Sequence, residues 1–265
     1  MKIVIASSNP WFKINEQLNK NNEILFIKNK SDLNLEKINK FNPSLIFFTH
    51  WSWMVPNQIH LKYKCILFHT APLPFGKGGS PIQNLILLGY KNAPVCAIKM
   101  TEELDAGPIL TQEKVMLNHT ETFGSLHQLL SELGAKNLLK VLDNVNSNKE
   151  ILQDDRLVSY APKIKKLDTK LDFNQQASAL EARVRGLAPT PGAWFEYQGE
   201  RFKVFRAEVV EGRGNAGLII NEDLTIACGE KALNILEIQR QGREIMSLSD
   251  LIRGFKFKKG DNVNQ

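Results

Sequence analysis

Five short apolar runs, each rich in β-branched or aromatic residues, recur through the first half of the chain: KIVIA at 2–6, EILFI at 23–27, SLIFFT at 44–49, CILFH at 65–69 and VCAIKM at 95–100. Strands this uniformly apolar must be covered on both faces. The segments between them, notably 33–41 and the strongly amphipathic 123–142, carry the 3.6-residue periodicity of helices. The alternation predicts an α/β, Rossmann-like fold with a mostly parallel sheet between helices. In such sheets ligands bind beyond the carboxyl ends of the strands, so strand-end residues are the ones to examine. His69 closes the run 65–69, and the chain then breaks into APLPFGKGGSPIQ. Beyond it Ser80 can cap a helix, Pro81 sits where a missing N–H costs nothing, and Gly89 can end it.

The second half has a different rhythm. A helical stretch at 174–186 leads into short strand-like runs at 193–197, 201–210, 217–220, 224–228 and 232–239, separated by turns containing Gly, Asn and Asp, with a closing helix at 247–253. Such spacing predicts a small C-terminal β-barrel, OB-like in size. The charge changes character too: residues 1–150 hold 16 lysines and no arginine, whereas nine arginines follow from Arg156 onward. With the polar stretch at 144–155, this sets the expected division: a catalytic domain at 1–150, a linker at 151–172 and the barrel at 173–265.

Several function classes are excluded at this level. No apolar run approaches the roughly 18–20 residues that span a bilayer, and MKIVIAS is too short and poorly flanked for a signal peptide, so a cytoplasmic protein is expected. Cys65, Cys96 and Cys228 stand alone in apolar runs, unlike the closely spaced ligands of a zinc site, and no metal is expected. No glycine-rich dinucleotide fingerprint follows Ala6. The net charge of +6 is spread over both halves and picks out no basic face.

The motifs are more specific. Leu67-Phe68-His69 is followed by Ala71-Pro72-Leu73-Pro74, Lys77-Gly78 and Ser80-Pro81-Ile82, then by Asp105-Ala106-Gly107. Further on come YAPKI at 160–164, Arg185-Gly186, PTPGAW at 189–194, Ala227-Cys228-Gly229 and LEIQRQG at 236–242. In order and spacing the chain resembles the 10-formyltetrahydrofolate-dependent formyltransferase family, in particular its two-domain members that formylate methionyl-tRNA or nucleotide-linked amino sugars. The resemblance covers nearly the whole chain.

The resemblance implies a mechanism that can be held against physical need. An amine attacks a formyl carbonyl, so a site must take a proton from the amine, stabilise an oxyanion and protonate the departing folate nitrogen. By family position His69 moves those protons and Asp105 orients its imidazole and stabilises the protonated ring. Met100, Thr101 and Leu104, with Trp51 and Trp53, fall where the family holds the pterin of 10-formyltetrahydrofolate. Thr70, Pro74, Lys77, Gly78 and Ser80 are expected to line the acceptor side. The family's asparagine, two positions before the histidine and on the same strand face, is Leu67 here. Leucine donates no hydrogen bond, and losing one oxyanion donor costs roughly 3–4 kcal/mol. His50, opening the run HWSW, is the expected substitute, with Thr70 a second candidate.

For the acceptor, the segment up to residue 64 leaves no room for the basic insertion of the tRNA enzymes, and the first half lacks arginine. The sequence therefore favours a nucleotide-linked amino sugar, whose diphosphate needs a few lysines and backbone N–H groups. Methionyl-tRNA is the alternative, with Lys77, Arg253, Lys256, Lys258 and Lys259 as phosphate contacts. A third reading, motivated by Leu67, is a folate- or acceptor-binding protein with lost or residual catalysis.

Overall fold

The computed structural model describes residues 1–8, 16–144 and 149–263; part of the polar stretch at 144–155 therefore lies outside the described residues. In chain order the first elements are β1 (Lys2–Ala6), α1 (Glu16–Asn21), β2 (Glu23–Ile27), α2 (Leu35–Phe41), β3 (Leu45–Phe48), α3 (Asn57–His60), β4 (Cys65–His69), β5 (Lys77–Gly78), α4 (Pro81–Leu87), β6 (Asn92–Lys99), β7 (Ile109–Met116), α5 (Phe123–Asp143) and β8 (Tyr160–Ala161). Strands β1, β2, β3, β4, β6 and β7 form one sheet in the order β2-β1-β3-β4-β6-β7. The first four run parallel, while β6 lies antiparallel to both β4 and β7. This is the mostly parallel, Rossmann-like sheet that the apolar runs require.

Side-chain alternation sorts the two faces. Ile3, Ile5, Leu45, Phe47 and Ile66 pack against Leu138 and Val141 of α5, and Val4, Ala6, Ile46 and Phe48 against Ile38 of α2 and Ile59 of α3. Each fully buried Ile or Phe contributes about 1.5–3 kcal/mol relative to exposure, which is why the central strands tolerate no polar residue until their ends. Asn34 starts α2 by accepting the Lys37 N–H, and Asn42 in a left-handed conformation ends it. Strand β7 follows a turn that begins where Lys99 N–H donates to the Pro108 carbonyl.

After β8 come α6 (Ala177–Leu187), β9 (Ala193–Tyr197), β10 (Glu200–Val210), β11 (Thr225–Ala227), β12 (Ala232–Arg240), β13 (Met246–Ser247) and α7 (Leu248–Leu251). They make a curled antiparallel half-barrel in the order β11-β12-β10-β9, with β13 beside β12. Its core gathers Phe195, Phe202 and Tyr197 with Leu180 and Val184 of α6. The expected strand at 217–220 makes only isolated bridges, Leu218 with Asn262 and Ile219 with Ile226. By packing, the chain divides into one unit of Met1–Pro81, Lys91–Leu117 and His127–Pro162, and another of Ile82–Tyr90, Asn118–Leu126 and Lys163–Gln265. Helix α4 joins the second unit because Gly186 leaves no room for a side chain beside Leu87.

Candidate active site

Strand β4 delivers His69 to the end of the sheet, where it is buried. Its Nδ1 lies 3.5 Å from Oδ2 of the buried Asp105, and its Nε2 lies 3.1 Å from the Gly76 carbonyl oxygen. The expected histidine and carboxylate, 36 residues apart in sequence, therefore meet. A carbonyl only accepts, so Nε2 bonds Gly76 only while it carries a proton. To take a proton from an amine, the ring must present an unprotonated nitrogen and so must release one of its two contacts.

The Asp105 loop is held by three hydrogen bonds. Asp105 Oδ2 accepts the Gly78 N–H at 2.9 Å, the Asp105 carbonyl accepts Gln153 Nε2 at 2.8 Å, and the same amide reaches the Gly107 carbonyl at 2.8 Å. The backbone of Asp105 is left-handed, with φ of 52°, a conformation that costs a non-glycine residue and persists when its surroundings over-determine it. Gly107 has a different constraint: a Cβ there would lie 1.6 Å from the Lys99 carbonyl oxygen, so the loop turns hard against the end of β6. From the other direction, Ser159 accepts the Gly76 N–H at its Oγ (3.0 Å) and the Lys77 N–H at its carbonyl (2.9 Å). Strand β8 then pairs with β5, Lys77 opposite Tyr160. Segment 153–161 thus clamps both the His69 and the Asp105 loops. Nothing in the sequence marks Gln153 or Ser159 as site residues, since each is a lone polar residue in a stretch that reads as connecting chain.

Leu67, in the asparagine's place, packs with Leu73, Cys96, Ile98 and Ile109 and supplies no donor. His50 does not take over that role here. The parallel register of β3 and β4 brings its backbone alongside the end of β4, but its ring turns to α5. Ser131 Oγ gives its proton to the His127 carbonyl at 2.7 Å, so it can only accept from His50 Nε2, 3.1 Å away; the His50 N–H is spent. Burial, reinforced by the neighbouring His127, pushes the His50 pKa down to about 4. Its ring centroid lies 4.8 Å from that of His127, whose pKa burial also lowers. The unfolded chain takes up the His50 proton near 6.5 but the folded chain only near 4, so stability should fall as pH drops through that window. The loss is on the order of 3 kcal/mol, and urea midpoints of wild type and His50→Phe between pH 7 and 4 check it: the variant's decline should be visibly shallower. Thr70 follows His69 and is half-buried.

Among the expected pterin contacts, Trp51 and Met100 join one apolar cluster with Leu67. Trp51 meets Trp53 edge-on at 4.9 Å and Phe48 at 5.9 Å, giving an aromatic wall. Thr101 and Leu104 stand exposed on the Asp105 loop, where Thr101 Oγ1 donates to the Glu103 carbonyl at 3.1 Å. On the acceptor side, Pro74, Gly78 and Ser80 are half-buried. Lys77 departs from its expected role as a phosphate contact, because its side chain is 0% exposed. Cys65 is pushed up to about 12 and Cys96 and Cys228 to about 11 by burial, so none is a ready nucleophile. Among the described residues no group of three or more His, Cys, Asp or Glu gathers in a metal-holding arrangement.

The family model "Formyl transferase" matches residues 7–142, and "Formyl transferase, C-terminal domain" matches 163–256. The chain is 34% identical over 202 residues to the methionyl-tRNA formyltransferase of Ruegeria pomeroyi, an alignment covering 76% of this chain and 67% of that protein. It spans about two thirds of the length of the curated relatives that it matches first. Its structure is similar to that of methionyl-tRNA formyltransferase from Clostridium thermocellum, with a TM-score of 0.72 and 25% identity over 93% of this chain and 99% of that one. The fold is also that of the N-formyltransferase from Helicobacter canadensis in complex with folinic acid and dTDP-3-aminofucose, at a TM-score of 0.66 and 16% identity over 91% and 99% of the two chains.

Proposed function

Because the chain belongs to the formyl transferase family, whose one-carbon donor is 10-formyltetrahydrofolate, we propose that this transferase formylates the amino group of methionyl-tRNA. The observation that carries the reading is the set of relatives: those bearing the tRNA enzyme's name align at 31–36% identity, whereas the sugar-nucleotide enzyme shares the fold at 16%. This reverses the preference drawn from the arginine-free first half. Cations for a phosphate backbone need not lie near the catalytic motif.

The second unit supplies contacts of the right chemistry. Phe202 and Val204 of β10 point into the core, so Arg201 and Lys203 point out. Register sets Lys203 beside Trp194 and Gln239, and the Arg201 guanidinium lies 4.0 Å from the Trp194 ring centroid. Arg201, Lys203, Gln239, Gln241, Gly242 and Arg243 line a depression of about 380 Å³ that contains three cations, two amides and no acid. A phosphodiester backbone suits that lining. Arg253, Lys256, Lys258 and Lys259, the phosphate contacts expected from the sequence, are not part of it.

In the reaction, the amine nitrogen bonds to the formyl carbon, His69 takes the amine proton, and the carbon–N10 bond breaks as that proton passes to the folate nitrogen. Asp105 keeps the imidazole oriented and balances its charge while it is protonated. Folate binds against the wall of Trp51, Leu67 and Met100.

The deciding experiment supplies 10-formyltetrahydrofolate with charged initiator tRNA in one arm and amino-sugar nucleotides in the other; formylated sugar with inert tRNA would overturn the acceptor. For the basic depression, the triple change R201Q/K203Q/R243Q should raise KM for tRNA while sparing kcat. It should also flatten the dependence of log affinity on log salt by about 0.7–0.9 for each phosphate that the variant no longer neutralises. An unchanged slope counts against this face.

A further inference from the structure

The side chain of Lys77 is fully buried, its Nζ has no hydrogen-bond partner among the described residues, and its ionic neighbour there is Glu103 Oε1 at 3.9 Å. A buried cation with no hydrogen bond is costly, and a fold that keeps one must gain something from it. Its position says what. Lys77 is the residue between Gly76, whose carbonyl meets His69, and Gly78, whose N–H meets Asp105. Its backbone is fixed by the Ser159 carbonyl and by pairing with Tyr160. Its side chain runs to Glu103, two residues before Asp105 on the same loop. One short strand therefore touches the loop of Asp105 twice, through the Gly78 N–H and through the lysine ammonium.

We propose that Lys77 is a positioning residue of the His69–Asp105 pair: its buried side chain, reaching Glu103, pins the Asp105 loop from the same short strand whose neighbours contact His69 and Asp105. Without that reach to Glu103, the Asp105 loop would be tied to the strand through the Gly78 N–H alone. The donor and acceptor need never touch Lys77. A role in binding substrate phosphate, by contrast, would require the exposed ammonium that this residue lacks. The inference rests on His69 acting as the proton carrier but not on which amine is formylated.

Two variants test it. Lys77→Met keeps the length and apolar stem and replaces a buried charge with a group that burial favours, so the protein should fold at least as firmly. Lys77→Arg keeps the charge. In Lys77→Met, kcat should fall by up to about a hundredfold, the loss expected when a reacting group is misplaced by about 1 Å, with KM for folate and acceptor little changed. Lys77→Arg should restore kcat. An acceptor-independent readout accompanies this: amide hydrogen exchange across the Asp105 loop, residues 101–107, should be faster in Lys77→Met than in wild type and return in Lys77→Arg. Unchanged exchange in that loop, or lost activity that tracks global unfolding, overturns the proposal. Failure of wild type to formylate tRNA would instead count against the acceptor and leave the exchange as the deciding result.

Discussion

Replacing His69 with glutamine is expected to lower kcat by roughly 10³-fold, within the range general acid–base catalysis contributes, while leaving the melting temperature close to wild type. Glutamine fills similar space and can still donate an N–H to the Gly76 carbonyl, now at 3.1 Å from Nε2, so the loop stays tethered. It cannot shuttle a proton. Asp105→Asn should produce a comparable loss, because the amide keeps a side-chain oxygen for the Gly78 N–H but removes the charge that balances a protonated ring. Isothermal titration with a stable formyl-folate analogue separates this from a binding defect. The two variants should bind the analogue within a few-fold of wild type and turn over far more slowly. A chain that merely bound folate or acceptor would show no turnover to lose, and Asp105→Asn with full turnover would remove the pair from the chemistry.

Gly107→Ala is the second large effect, and it acts through the backbone. The added Cβ would lie 1.6 Å from the Lys99 carbonyl oxygen and 2.8 Å from its carbon, both main-chain atoms of a strand end that cannot swing aside as a side chain would. The loop must retreat, and Asp105, two residues earlier, retreats with it. Overpacking of this kind costs about 1–3 kcal/mol and occasionally more. Displacing a catalytic group by an ångström costs roughly a hundredfold in rate. Thermal unfolding and kcat should therefore fall together, whereas Ala at the exposed turn glycine Gly254, where nothing lies within 4 Å of a Cβ, should leave turnover untouched. Wild-type turnover in Gly107→Ala would mean that the loop's position is not what sets Asp105.

The sheet was legible because its parallel strands are short apolar runs: 2–6, 23–27 and 65–69, apolar but for one terminal residue each, emerge as β1, β2 and β4 with the same bounds. Strand β7 is hidden in the sequence. Its buried Ile109 and Leu110 give way to an alternation in which Gln112, Lys114 and Met116 are exposed, the signature of a half-covered edge strand. His69 and Asp105 were recoverable through motifs, since spacing along a chain carries no distance in space. Lys77 defies expectation for the reason that makes it interesting: lysines are rarely buried, so a surface contact is the natural reading. His50 sits where the chain order puts it but points elsewhere. Its φ of 53° turns the ring away from the alternation of the strand before it, and nothing in HWSW signals a left-handed residue.

The clamp of 153–161 on the loops of His69 and Asp105 also fixes when this centre can assemble. The family's first-domain model stops at residue 142, yet Gln153, Ser159 and the β8 strand hold the loops that carry His69 and Asp105. During translation these residues emerge after the sheet and the long helix are complete, so the contacts that tie the two loops together are among the last of this unit that can form.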